Sequence, residues 1–483
     1  MSDGLQAAQE ALAGKRAWLV GGAVRDRVLG STMGDLDVVV DGEPEQAARA
    51  VARAAGRAAC FALSEEYGAW RVVARDRAWQ LDVEPLRGGS LEADLRLRDF
   101  TVNAVAEPID GGAPIDPLGG LADLAARRLR MVAAGAFADD PLRVLRLVRM
   151  AVELDMEPEE ETLRCARKGA AALERVSAER VFIELRRILA SPRASWGVEM
   201  MTELGATAAV LPELEALRGV EQSRFHHLDV YGHTIEVLER TIALTSAQPA
   251  RARERDALLG EHGAELGELL AEPLADGLTR ADALRWGALL HDAAKPLTRE
   301  VRPQDGRVTF IGHDVRGAEL AREVLGRLHA AGRLRDHVAA LVRHHLRLGF
   351  LVHEPQPLSR RTVFGYLAAC SPVEVDVTLL SVADRLATRG DRAREAIDAH
   401  LRVARQLLTD ALRWRADGPP RPLIRGDELA GELGIPLGPR VGELLRELAA
   451  AQYAGEISSR EQALAHCRAP TTDGDGRSPG ATI

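Results

Sequence analysis

The feature that most constrains this chain is a change of hydrophobic period near Ala122. Before it, short β-branched runs are punctuated by glycine: AWLVGG, DLDVVV, WRVVA and QLDVE, with one helical stretch, EPEQAARAVARAAG, between the second and third. After it, amphipathic helices follow one another, among them DPLRVLRLVRMAVEL and AERVFIELRRIL, with few strand signals. This predicts an α+β chain with a small α/β head, an all-α neck and a helical body. The expected boundaries are 1–121 for the head, 122–215 for the neck, 216–405 for the body, 406–466 for a C-terminal helical module and 467–483 for a disordered tail. A length of 483 residues accommodates several such units, since domains usually take ~100–200 residues. The stretch SAQPARARERDALLGEHGAELGELLAEPLADGLTRA reads as an insertion or linker helix.

Composition narrows the function classes. Aromatic residues make up 4% of the chain, so the helical cores should be aliphatic. Four cysteines without CxxC spacing predict neither a disulfide framework nor a cysteine zinc site, and fit a reducing cytoplasm. No apolar run approaches the ~18 residues of a membrane span, and the N-terminus has no export pattern. A net charge of −9 excludes a uniformly basic nucleic-acid binder. A local basic patch remains between Arg127 and Arg187, which serves equally as a solvated helical face.

Within the head, WLVGGAVRD places Gly21 and Gly22 between a strand and a helix. Glycines there expose N–H groups to an anion at a helix N-terminus. Soon afterwards, GDLDVVV puts Asp35 and Asp37 two apart on a strand, on one face. Neighbouring carboxylates repel unless a cation or solvent screens them, so the pair suggests Mg²⁺ ligation. In LDVEPLR, Asp82 is a candidate third carboxylate, with Glu84 on the same face as an open alternative.

These motifs continue as DLRLRDFTVNA, DPLGGLADL, ADDPLRVLRLVRMA and AERVFIEL. In this order the series, from Trp18 to Leu189, resembles the class II tRNA nucleotidyltransferase and bacterial poly(A) polymerase family. The resemblance implies that Asp35 and Asp37 bind metal; Asp82 stays the candidate third catalytic carboxylate, with Glu84 the open alternative. Gly21, Gly22 and Arg25 would then meet the triphosphate, and Arg98, Asp99 and Asn103 the ribose. Asp140 and Arg143 would read the incoming base, with Arg146 and Arg149 along the same helix, and Glu179, Arg180 and Glu184 would brace the neck. Two ions in the head would lower the pKa of an RNA 3′-hydroxyl and stabilise the leaving pyrophosphate.

Two positions depart from the family pattern: Leu97 replaces the first arginine of RRDFT, and Asp139 the glutamate of EDxxR. The link from LDVEPLR to DLRLRDF is only Gly88 to Ala93, where complete CCA-adding members carry a longer flexible segment. The short link is similar to that of members that add CC alone.

In the body, His233, His291-Asp292 and Asp384 resemble the ligand set of the HD phosphohydrolase superfamily, implying Mg²⁺, Mn²⁺ or Ni²⁺ and a water-activating site. His313 and His344 are candidates for a second ion, and Lys295 for a phosphate contact. A set of buried, hydrogen-bonded core histidines would give the same pattern. His226 and His227 read as surface residues. PLIRGDELAGELGIPLGPRVGELLRELAAAQYAGEI resembles the module found beside such HD domains; in it Arg440 is a candidate phosphate contact, and a packed helical hairpin is the plainer alternative.

The expected function is template-independent addition of CC or CCA to the tRNA 3′ end from CTP, with ATP as the further nucleotide. A poly(A) polymerase, or an HD-type hydrolase with a nucleotide- or RNA-binding head, would be the rivals. The oligomeric state is not legible from the chain.

Overall fold

The computed structural model describes residues 3–31, 35–64, 68–222, 228–260, 262–389 and 393–468. His226, His227 and nearly all of the predicted tail lie outside these, although Cys467 and Arg468 close the last helix, Arg460–Arg468. The chain divides into two compact units, Met1–Ser177 with Met200–Val210, and Ala178–Glu199 with Leu211–Ile483. The architecture is α+β.

The first unit is built on a six-stranded sheet. Its strands are β1 (Ala17–Val20), β2 (Asp35–Val40), β3 (Ala59–Ser64), β4 (Ala69–Val73), β5 (Gln80–Pro85) and β6 (Ala106–Pro108), in the order β3-β4-β5-β2-β1-β6. The β2–β5 pair is parallel, and the other neighbours are antiparallel. Leu36, Val38 and Val40 join Leu19, Leu81 and Val83 in a core closed by α1 (Asp3–Leu12), α2 (Gly22–Val28) and α3 (Pro44–Ala54). Strand alternation then sends Asp35, Asp37 and Val39 to the opposite face, where Val39 packs with Val20, Leu95 and Ala106. A slip of one residue would drive both aspartates into the core, which fixes the register.

That second face carries α4 (Leu91–Arg96), whose N-cap Ser90 side chain accepts from the Ala93 N–H at 3.2 Å. Below it lies α5 (Gly120–Ala125), then α6 (Ala136–Asp139), α7 (Arg143–Leu154) and α8 (Glu160–Gly169). Helix α7 buries Val144, Leu145, Leu147, Val148 and Ala151, which leaves Arg143, Arg146 and Arg149 on its other side.

The second unit is helical apart from two-stranded ribbons. Helices Val230–Thr245, Arg280–Leu290, His313–Arg327, Gly332–His344 and Glu374–Leu386 pack on one another. The segment read as a linker helix forms two helices, Pro249–Leu259 and Gly263–Ala271, and a short ribbon, because Gly260 and Gly277 take positive φ and break it. Towards the end, Leu429, Leu448, Ala451 and Leu464 form a separate small core. Among the described residues, no single helix is long and apolar enough to cross a membrane.

Candidate active site and metal centre

The strand-turn-helix at Gly21 lies against the acidic strand. Gly21 has φ 68°, and a Cβ there would stand 3.0 Å from Arg98 Nη1 and 3.2 Å from Asp37 Oδ2. Only glycine meets both demands. These residues border a cleft of about 310 Å³ in the first unit, walled by Gly21, Gly22, Asp37, Arg98, Asp99, Asn103, Arg143 and Arg146 of the sequence-predicted set, and also by Glu84, Arg87 and Leu97.

The remaining predicted residues stand outside that wall. Arg25 is behind it, donating to Asn103 Oδ1 at 2.7 Å, while Asn103 Nδ2 donates to Asp99 Oδ1 at 2.9 Å. Arg146 reaches Asp99 Oδ2 at 3.4 Å. Asp35 accepts from Gln80 at 2.8 Å, and Asp140 accepts from the Leu142 N–H at 3.2 Å, beside the start of α7. Arg149 pairs with Glu153. Arg71 donates to both oxygens of Asp82 at 2.7 Å, so Asp82 is already neutralised, whereas Glu84 faces the cleft.

The carboxyl of Asp37 is pushed up to about 6, first by burial and then by the charge of Glu84, with Arg98 offsetting part and Asp82 and Asp35 adding to the rise. A half-buried anion among like charges fits a divalent cation.

The short link folds as a tight turn. Gly88 and Gly89 have φ 69° and 78°, and Asp94, fully buried, accepts from the N–H and Nε of Arg87 at 3.3 and 3.0 Å and from Arg98 at 3.2 Å. At the end of α4 the Leu97 carbonyl accepts from Arg143 at 2.9 Å. Beneath, the buried Asp123 accepts from Thr101, Arg128 and Arg130, which locks the RDFTVN segment. Asp94 and Asp123 were invisible in the sequence, because a buried charge declares itself only through its partners.

In the second unit the predicted quartet assembles. His233 Nε2 lies 3.0 Å from Asp384 Oδ1 and 3.9 Å from Asp292 Oδ2, and His291 Nε2 lies 3.1 Å from Asp292 Oδ2. Lys295 Nζ meets the same oxygen at 2.7 Å. Burial raises the Asp384 and Asp292 carboxyls, but the facing histidines, with Lys295 at Asp292, outweigh it and hold both low. His313 joins the cluster, whereas His344 does not: its Nδ1 accepts from Arg347, and the buried neighbour is His345. Helical spacing carried this signal, since His345 continues the apolar row Leu334, Val338, Leu341.

Nδ1 of His291 lies 2.8 Å from the carbonyl three residues earlier, and donating there leaves the Nε2 lone pair facing the centre. That nitrogen has no hydrogen bond although it is buried, and it points at a carboxylate oxygen. At 3.1 Å a proton on Nε2 or a shared cation relieves this contact, and two imidazoles and two carboxylates converging in this way are a donor set that fits a divalent metal.

Both the head and the body resemble known proteins. Residues 17–130 match the family described as Poly A polymerase head domain, 155–217 that described as probable RNA and SrmB-binding site of polymerase A, and 260–389 the HD domain. An A-adding tRNA nucleotidyltransferase of Deinococcus radiodurans is 38% identical over 93% of this chain and 94% of its own. A CC-adding tRNA nucleotidyltransferase of Thermus thermophilus is 34% identical over 93% of each. The Thermotoga maritima CCA-adding enzyme complexed with tRNA shares the fold, with a TM-score of 0.61 at 19% identity over 96% of this chain and 93% of that one. With an acid-bearing nucleotidyltransferase head, an arginine-walled cleft and an HD centre on one chain, the protein belongs to the tRNA nucleotidyltransferase family built on the poly(A) polymerase-type head.

Proposed function

We propose that this chain adds CC to the tRNA 3′ end from CTP, without a nucleic-acid template. The observation that carries the reading is the closed turn Gly88-Gly89, held by Asp94 at one end of α4 and followed at the other by the Leu97 carbonyl that holds Arg143. Accepting C and then A requires the base-reading groups to change their donor and acceptor edge. A mobile link could drive that change, and a pinned turn cannot.

In this reading Asp35 and Asp37 hold Mg²⁺, with Glu84 or Asp82 as the third carboxylate. Bound there, the metal would acidify the RNA 3′-hydroxyl and neutralise the triphosphate. Gly21 and Gly22 let the triphosphate approach the backbone, while Arg98, Asp99 and Asn103 orient the ribose. Arg25 holds Asn103 in place. Arg143 reads the base, and Asp140 assists from the start of the same helix.

In the body, His233, His291, Asp292 and Asp384 hold a divalent metal, and Lys295 receives a phosphate, giving a phosphohydrolase activity toward RNA ends. The four unpaired cysteines suit a reducing cytoplasm.

A-addition from ATP is the second reading, favoured by the identity to the A-adding relative over 93% of the chain. Poly(A) synthesis on many RNAs is disfavoured, because tRNA nucleotidyltransferases match over more than nine-tenths of this chain. Labelled CTP and ATP are offered to tRNA transcripts ending before the first C, after it, after the second C and after A. CTP incorporation that stops at CC supports the proposal. Incorporation of ATP alone after CC assigns A-addition, and continuation from C to A overturns the argument from the turn.

A further inference from the structure

The stretch 246–281, read from sequence as a linker helix, borders a cavity of about 640 Å³ in the body that neither proposed reaction uses. That volume lies within the ~300–1,000 Å³ of small-molecule sites. Ile242, Ala252 and Leu270 form part of its apolar wall, and none of His233, His291, Asp292 and Asp384 lines it. Arg285 lines it from the helix Arg280–Leu290, which leads on to His291. At the helical rise, His291 is roughly 9 Å further along that axis, so the cavity is distinct from the metal centre.

Two buried guanidiniums stand in this wall: Arg255 is 3% exposed and Arg285 8%. Arg285 spends Nη1 on the carbonyls of Leu189 and Ser191, at 2.9 and 3.2 Å, and its enclosed Nε has no hydrogen bond. The carboxylate it faces, Asp282, is 3.9 Å away, and the other oxygen of that group is held by the N–H and hydroxyl of Thr279. Burial accordingly lowers the pKa of the Arg285 guanidinium, with Asp282 offsetting part. Arg255 reaches Asp256 with Nε at 3.3 Å and the Leu244 carbonyl with Nη1 at 3.4 Å. Among the described residues Nη2 of each arginine makes no hydrogen bond, which leaves two charged donors at the cavity wall.

The space is kept open at a cost. Gly267 stands inside the helix Gly263–Ala271 on the cavity wall, and a Cβ there would meet nothing within 4 Å. Glycine weakens a helix interior relative to alanine, so packing and propensity both favour a side chain at this position. Buried cations without close counter-ions are equally unfavourable until an anion joins them. One ligand answers both: guanidinium forks match carboxylate and phosphate oxygens, and an apolar body fills the room beside them. We propose that this cavity binds a small organic anion, with its oxyanion group on Arg255 and Arg285 and its apolar body against Ile242, Ala252 and Leu270.

The test is isothermal titration calorimetry on the full-length protein in a chelator, which removes the ions that both proposed reactions need. The probes are naphthyl phosphate and naphthoate, with naphthol and inorganic phosphate as the separated apolar and anionic parts. One naphthyl anion per chain is expected to bind, ten-fold or more tighter than either part, and the tighter of the two names the oxyanion. Arg255→Met should weaken that binding ten-fold or more. Gly267→Leu fills the cavity and keeps both arginines; it should weaken binding as much while unfolding at no lower temperature than the parent. Arg143→Met in the head cleft and Lys295→Met at the metal centre should bind as the parent does. Failure of both anions to bind, or naphthol binding as tightly as they do, overturns the site. Undiminished binding in Gly267→Leu overturns it as well, and loss of binding in Arg143→Met or Lys295→Met would move the anion to those sites.

Discussion

Asp37 and Asp82 stand opposite each other on the parallel β2–β5 pair, yet Arg71 neutralises Asp82 through both oxygens while the Asp37 carboxyl is pushed up to about 6. One carboxylate is neutralised within the protein, and the other is raised by burial and by like charges. This division sets the first three predictions.

Asp37→Asn should abolish nucleotidyl transfer and stabilise the metal-free protein. An acid raised from 3.8 to about 6 opposes folding when ionised, and each unit is about 1.4 kcal/mol, so the relief is on the order of 1–3 kcal/mol. Thermal unfolding in a chelator should show a higher midpoint than wild type. A lower midpoint would mean that Asp37 is satisfied without metal.

Transfer at limiting Mg²⁺ should fall as the pH drops through about 6, because the proton and the cation compete for Asp37. The midpoint should move down as Mg²⁺ is raised. The sign for folding is opposite: the folded-state value lies above the unfolded one, so this carboxyl's contribution to metal-free stability is present below about 4 and lost as the pH rises through about 6. An activity midpoint indifferent to Mg²⁺ would separate the profile from Asp37.

Asp82→Asn should act chiefly on stability, costing on the order of 1–3 kcal/mol by leaving Arg71 unpaired in a partly buried site. Adding Arg71→Met should restore part of it. Glu84→Gln should instead lower transfer ten-fold or more with little change in unfolding. Loss of transfer in Asp82→Asn with an unchanged midpoint would make Asp82 the third metal-site carboxylate.

Gly88→Ala probes the turn. A Cβ at φ 69° would stand 2.7 Å from the Ala93 Cβ, and the combined strain is on the order of 1–3 kcal/mol. With the turn loosened, the preference for CTP over ATP should fall several-fold, read from single-turnover incorporation. An unchanged preference in a folded variant would detach nucleotide choice from this link.

His291→Ala should abolish metal-dependent phosphatase activity toward RNA 3′-phosphates and leave CTP incorporation within two-fold of wild type, because its partners all lie in the body. A matching loss of both activities would place one reaction in both units.

The sequence by itself determined the two-part architecture, because hydrophobic period is a local property: Leu36, Val38 and Val40 on one side and Asp35 and Asp37 on the other already define the strand and its acidic face. The set His233, His291, Asp292 and Asp384 was legible for the same reason, as each sits in a short motif on a helix or just past its end. Only tertiary structure decided which carboxylate faces the cleft, since Asp82 and Glu84 share a face and Arg71, from the neighbouring strand, claims the first. It also decided between His344 and His345, by the rotation of a helix whose apolar row continues into the second. Asp94 and Asp123 appeared only with the fold, because the free energy of a buried charge depends on partners the chain brings together from several elements.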